Sequence, residues 1–251
     1  MKIIEASDYQ SLSRKAANII SAQVILFPRS VLGLATGSTP LGIYRQLVEW
    51  YKKGDIDFSQ VKSVNLDEYC GLSPENPNSY HYYMRENLFK NINISPKNVY
   101  IPDGLADDVE KACSEYDRII SDFGGIDLQL LGLGGTGHIG FNEPDVSFDK
   151  MTHRVVLTEK TISDNSRLFK SVDQVPRYAI TMGIKAIMQA KKILLVVSGS
   201  SKSQILEKVL FGPVTPEAPA SILQLHPDLT VVADKDALAD VFKDNLLSNS
   251  L

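Results

Sequence analysis

The sequence predicts an α/β protein built on a doubly wound, mostly parallel sheet with helices on both faces, and three observations carry that expectation. Short apolar runs alternate with longer amphipathic ones along nearly the whole chain. The apolar runs show little polar alternation, as expected of strands covered on both faces. Glycine or small polar clusters follow directly on four of them, where an open α/β sheet places its ligands.

The elements follow in order. SDYQSLSRKAANIISAQVI (7–25) has helix length and an amphipathic pattern, and VLGLA (31–35) is a buried strand. ATGSTP (35–40) turns that strand into a helix beginning near Leu41, with Pro40 suited to a first helical turn. VKSVNL (61–66) is a second strand, followed by DEY (67–69) and the turn-forming GLSPENPNS. SYHYYMRENLFKNI (79–92) and DDVEKACSEYDRIISDF (107–123) are helices on either side of the strand NVYIP (98–102). DLQLLGL (127–133), HRVVL (153–157), YAITM (178–182), ILLVVSG (193–199) and LTVVAD (229–234) complete the strands, with KDALADVFKDNLL (235–247) a closing helix. Such a βα rhythm, with right-handed crossovers, is that of a doubly wound sheet.

The 251 residues, 43% hydrophobic and 22% charged, are those of a globular chain, read as one domain over 1–251. A net charge of −4 without any lysine or arginine run excludes a nucleic-acid partner. No window approaches the roughly 18 apolar residues needed to span a bilayer, and MKIIEASDYQ contains no apolar stretch of signal-peptide length, so the expected location is the cytoplasm. Cys70 and Cys113 form no CxxC pattern and read as reduced thiols.

Four strand tips bear the candidate chemistry. In ATGSTP, small residues and hydroxyls at Gly37, Ser38 and Thr39 let backbone N–H groups and a helix N-terminus face an anion, against the plainer reading of a capped βα turn. The GxxxxGK[ST] spacing of a nucleotide-triphosphate loop is absent. SGSSK adds Lys202 at a second small-residue turn, and DNSRLF contains Arg167; either cation suits a phosphate, although most such residues are simply solvated.

DEY sets Asp67 beside Glu68, and strand alternation turns at most one of them toward a crevice, where a desolvated carboxylate can take a proton from carbon. The plainer alternative is a turn-capping aspartate. GGTGHIGFNEP puts His138 among glycines rather than in an apolar run, with Glu143 placed to orient its ring. GLGGTG (132–137) matches GxGxxG literally, and Glu159 lies where a ribose-binding acid would be sought. That fingerprint demands a helix at its third glycine, and HIGFNEPDVSFDKMTH has no helical apolar period, so a dinucleotide cofactor is not expected. His81, His153 and His226 pair with nothing at metal-ligand spacing, and no metal site is expected.

ATGSTPLGIY, NLDEYCGL with NSYHYYM, GLGGTGHIGFNEP, NSRLF and ASILQLHP together resemble the glucosamine-6-phosphate deaminase family, from about residue 30 to residue 233. The resemblance implies a modified doubly wound (Rossmann-like) fold and conversion of glucosamine 6-phosphate to fructose 6-phosphate and ammonia, without metal or organic cofactor. It implies Asp67 as the enolisation base and His138 with Glu143 as the ring-opening group. Ser38, Thr39, Arg167 and Lys202 fall at its phosphate site, and residues 153–182 at its mobile lid. Thr136 stands where the family commonly has Asp or Asn, so the histidine lacks a carboxylate there and altered activity or pH optimum is expected. Val155 occupies the place of a basic residue in members activated by N-acetylglucosamine 6-phosphate, so that activation is expected to be absent. The rival readings are a 6-phosphogluconolactonase-like hydrolase and a non-catalytic sugar-phosphate sensor, and the oligomeric state is left open.

Overall fold

A computed structural model describes residues 1–166 and 169–241. The strands are β1 (Lys2–Ala6), β2 (Val31–Leu34), β3 (Lys62–Asn65), β4 (Asp67–Tyr69), β5 (Val99–Tyr100), β6 (Leu128–Gly132), β7 (His153–Val156), β8 (Tyr178–Thr181), β9 (Ile193–Val197) and β10 (Leu229–Asp234). The helices are α1 (Tyr9–Leu26), α2 (Leu41–Lys53), α3 (Tyr80–Asn87), α4 (Val109–Asp122), α5 (Glu159–Asn165), α6 (Ile184–Met188) and α7 (Ser203–Phe211).

The expected parallel sheet is present with seven strands in the order β1-β10-β9-β6-β2-β3-β5, every adjacent pair parallel. From β2 the chain steps outward to β3, and from β6 it steps the other way to β9 and β10, so the order reverses between β2 and β6. Right-handed crossovers in opposite directions then place α1 and α2 on one face and α7 on the other. The central strands β2 and β9 are buried along their whole length, which is why VLGL and ILLVV need no alternation.

Helix ends follow local chemistry. Asp8 caps α1 by accepting the Ser11 N–H at 2.7 Å, Ser79 caps α3 through the Tyr82 N–H, and Asp108 caps α4 through the Lys111 N–H. The segment expected as one helix over 79–92 stops at Asn87 and continues as a 3₁₀ turn over Phe89–Asn91. Of the helix expected over 235–247, residues 235–238 form turns and 239–241 are helical, and 242–247 lie outside the described residues.

Two strands expected in the parallel sheet belong elsewhere. β7 and β8 form a separate antiparallel sheet with β4, in the order β4-β8-β7. β7 exposes alternate residues, Val156 to 70%, so HRVV is a half-covered strand whose valines do not signal two-sided burial. KIIEA, which forms β1 at the sheet edge, is a strand the sequence pattern did not single out; both Lys2 and Glu5 are exposed there.

Leu66 links the two sheets: its N–H bonds to the Leu34 carbonyl of the large sheet and its own carbonyl accepts from Met182, just past β8. The large sheet and its helices share the main core, while Tyr69, Phe141, Leu157, Ile162, Val175 and Ala179 pack as a second apolar cluster. Cys70 and Cys113 are unbridged. Among the described residues, no helix is long and apolar enough to cross a membrane.

Candidate active site

A cleft of about 550 Å³ opens beyond the carboxyl ends of β2, β3 and β6, at the reversal of strand order where open sheets bind ligands. Asp67, His138, the 35–39 turn and Lys202 all line it.

Asp67 and Glu68 divide as strand alternation requires. Glu68, 1% exposed, points away from the cleft and accepts the backbone N–H groups of Tyr69, Tyr80 and His81 at 2.8–2.9 Å and the His81 Nδ1 at 2.8 Å. Its charge is thereby matched to the N-terminus of α3. Asp67, 6% exposed, faces the cleft and its carboxyl accepts no hydrogen bond among the described residues. Burial, followed by repulsion from the Glu68 charge, raises its pKa from 3.8 to about 8.

Across β4 and β8 Asp67 stands opposite Thr181, whose Oγ1 accepts the Phe141 N–H at 3.0 Å. That bond brings the glycine-rich loop over the carboxylate: a Cβ on Gly140 would lie 2.8 Å from the Thr181 hydroxyl and 3.6 Å from Asp67 Oδ2. Gly140 has φ +59 and Gly137 φ +81, left-handed values that favour glycine.

His138 is turned by a chain of polar contacts behind it. Its Nδ1 lies 2.8 Å from Thr136 Oγ1 and 3.1 Å from Glu143 Oε2, and the Thr136 hydroxyl donates to that same Oε2 at 2.7 Å. With Thr136 donating to Glu143, its oxygen accepts from Nδ1–H, which leaves the lone pair on Nε2. Thr161 of α5 donates its hydroxyl to Glu143 Oε1. Burial alone would raise the Glu143 carboxyl, but its hydrogen bond and charge interaction with His138, with help from the Thr161 and Thr136 hydroxyls, outweigh it and bring the pKa down to about 2. The imidazole lies flat on Gly134, where an added Cβ would meet Nε2 and Cδ2 at 2.0 Å.

On the opposite side of the cleft, Gly37 at φ +97 bends the 35–39 turn. Asp234 accepts the Gly199 N–H and the Ser198 hydroxyl, shaping the turn that leads to Lys202. Arg167 lies outside the described residues. No helix follows the third glycine of GLGGTG; the chain runs through turns to β7, and Glu159 is on α5, paired with Arg177. Among the described residues, no three His, Cys, Asp or Glu side chains gather as a metal site.

Several cleft residues escaped the sequence reading. Thr161 and Asn165 come from α5, and Asn165 donates to the Tyr69 hydroxyl at 2.9 Å. The Tyr80 ring lies nearly parallel to Phe141, 6.1 Å between centroids. Hydroxyls, amides and tyrosines are too common on helices for their spacing to announce a site.

The parallel frame, the cleft at its reversal point and the desolvated carboxylate sharing that cleft with an imidazole define an open-sheet α/β enzyme. The chain belongs to the family described as glucosamine-6-phosphate isomerases/6-phosphogluconolactonase, whose model matches residues 7–232. A glucosamine-6-phosphate deaminase of Lachnoclostridium phytofermentans is 65% identical over 232 residues, covering 92% of this chain and 98% of the relative. One from Thermoanaerobacter pseudethanolicus is 54% identical over 94% of each. Among solved structures, a monomeric glucosamine-6-phosphate deaminase superposes with a TM-score of 0.93 at 46% identity, covering 96% of this chain and 100% of that one. The 6-phosphogluconolactonase of Trypanosoma brucei, at 18% identity and TM-score 0.75 over 96% of this chain and 98% of that one, shares the fold.

Proposed function

We propose that this chain converts glucosamine 6-phosphate and water to fructose 6-phosphate and ammonia. The observation that carries the reading is the Asp67 carboxyl, buried without a hydrogen-bonding partner among the described residues in the cleft that also receives His138. With Nδ1–H held by Thr136 and Glu143, His138 Nε2 relays the proton of the anomeric hydroxyl to the ring oxygen, which opens the pyranose. Asp67 then removes the C2 proton while the C1 oxygen is protonated, and returns a proton at C1 through the enolamine. Water hydrolyses the resulting ketimine, and ammonia leaves.

A carboxyl that ionises near pH 8 is mostly protonated at neutrality, and the ammonium group of an amino sugar supplies the opposite charge that restores its ionised form. Substrate thereby generates its own base. Gly37, Ser38 and Thr39 with Lys202 and Arg167 hold the phosphate, so binding energy remote from C2 fixes the linear sugar for reaction. Residues 153–182, whose Leu157, Ile162, Val175 and Ala179 pack with Tyr69 and Phe141 in a cluster apart from the main core, act as a lid over the single domain 1–251. Val155 is partly buried against that cluster and brings no charge, and we read the enzyme as lacking activation by N-acetylglucosamine 6-phosphate. The setting is N-acetylglucosamine and amino-sugar catabolism in the cytoplasm.

A steady-state ammonia assay on glucosamine 6-phosphate, run with and without N-acetylglucosamine 6-phosphate, tests substrate and regulation together. Ammonia release with a hyperbolic rate curve unchanged by the effector is expected. Turnover of 6-phosphogluconolactone with no ammonia from the amino sugar would overturn the reading in favour of the lactonase, and binding without turnover in favour of a sensor.

A further inference from the structure

Three helices aim tyrosine hydroxyls at one turn. Tyr44 of α2 donates to the Ala35 carbonyl at 2.6 Å, and Tyr83 of α3 to the Gly37 carbonyl at 2.6 Å. Tyr9 of α1 reaches the Ser38 and Thr39 carbonyls at 2.9 and 3.1 Å, while its oxygen accepts the Gly42 N–H at 2.9 Å. The three residues are far apart in sequence, and no other loop of the cleft is held in this way among the described residues.

The consequence lies in the peptide plane. In a trans peptide the C=O of one residue and the N–H of the next point in opposite directions. A hydroxyl that draws the Gly37 carbonyl outward therefore turns the Ser38 N–H the other way, and the tether on Ser38 does the same for the Thr39 N–H. The N–H groups of Gly37, Ser38 and Thr39 find no partner among the described residues, and all three residues line the cleft. Carbonyls taken up on one side and amides left open on the other give a turn with an anion-seeking face.

We infer that Tyr9 and Tyr83 are positioning residues for the substrate's phosphate, acting through the backbone of the 37–39 turn without touching the ligand. The inference rests on the proposed reading of this turn as the phosphate grip. Tyr44 serves the same turn from full burial, so its loss would also leave a buried carbonyl unpaired; Tyr9 and Tyr83 are partly exposed and better suited to a test.

The test uses Tyr9→Phe and Tyr83→Phe, with Tyr51→Phe on α2 as a control whose hydroxyl bonds to nothing among the described residues. Calorimetric titration with inorganic phosphate and steady-state ammonia release are measured on each. Losing one tether is expected to weaken phosphate binding and raise KM together, by about 3- to 10-fold, a net hydrogen bond's worth. The kcat, its pH profile and the melting temperature stay at wild-type values, and Tyr51→Phe changes nothing. Phosphate affinity within twofold of wild type in both variants would overturn the inference, as would kcat and melting temperature falling alongside affinity. If one variant does not fold, the other decides alone. Absence of ammonia release from the wild type counts against the proposed reaction, whereas the phosphate titration continues to judge the tyrosines.

Discussion

Replacing Asp67 with asparagine removes a charge while keeping the side chain's shape, and the consequences for stability can be worked from its surroundings. Asp67 ionises near 3.8 in the unfolded chain and near 8 in the folded one. Between those values the native state binds more protons than the unfolded state, so stability falls as pH rises, and the full cost is present above about 8. At about 1.36 kcal/mol per pKa unit the ceiling on this cost is roughly 5–6 kcal/mol, and water entry and local relaxation leave about 2 kcal/mol or more. The substituted amide is not spared its hydrogen-bonding needs, but it carries no charge. Wild type and Asp67→Asn should therefore differ little in melting temperature at pH 4, with the variant pulling ahead toward pH 8 by about 4–8 °C, as ~2 kcal/mol implies for a chain of this size. Scanning calorimetry at pH 4, 6 and 8 measures the difference. The same variant should lose exchange of the C2 proton with solvent, and wild-type kcat/KM should rise with pH toward about 8. A stability difference that does not grow with pH, or a variant less stable at pH 8, would refute the view that Asp67 is held as a costly buried acid.

Thr136→Val deletes the hydroxyl between His138 Nδ1 and Glu143 at nearly constant volume, and a fall in kcat of about 10-fold or more with little change in KM is expected, while Thr136→Asn retains more activity. Ammonia-release kinetics on both variants check this. Gly134→Ala would drive a methyl group into the His138 ring at 2.0 Å. Displacing the imidazole by about 1 Å should cost on the order of 100-fold in kcat with far-ultraviolet circular dichroism unchanged.

Much of the frame was legible because buried parallel strands leave a direct mark in the sequence: VLGL and ILLVV read as covered strands and are covered. The pairing of Asp67 with His138 was legible through another rule, that strand tips converge at the sheet's reversal point. What stayed hidden depends on neighbours rather than on the strand itself. HRVV and YAIT contain the residues of any strand, and only the departure of the chain at Leu66 decides that they join Asp67 in a second sheet. Thr161 reaches Glu143 across α5, and Tyr83 reaches Gly37 from another helix, through hydroxyls that no periodicity distinguishes.

The passage of the chain through Leu66 has a mechanical consequence. The Asp67 carboxyl, the proposed base, is mounted on the small antiparallel sheet, whereas the Ser38 and Thr39 turn, the proposed phosphate grip, is mounted on the large one. Any tilt of one sheet against the other changes the span between Asp67 and that turn, so a substitution in the Leu157–Ile162–Val175 packing would be felt in the proposed reaction as a shift in alignment.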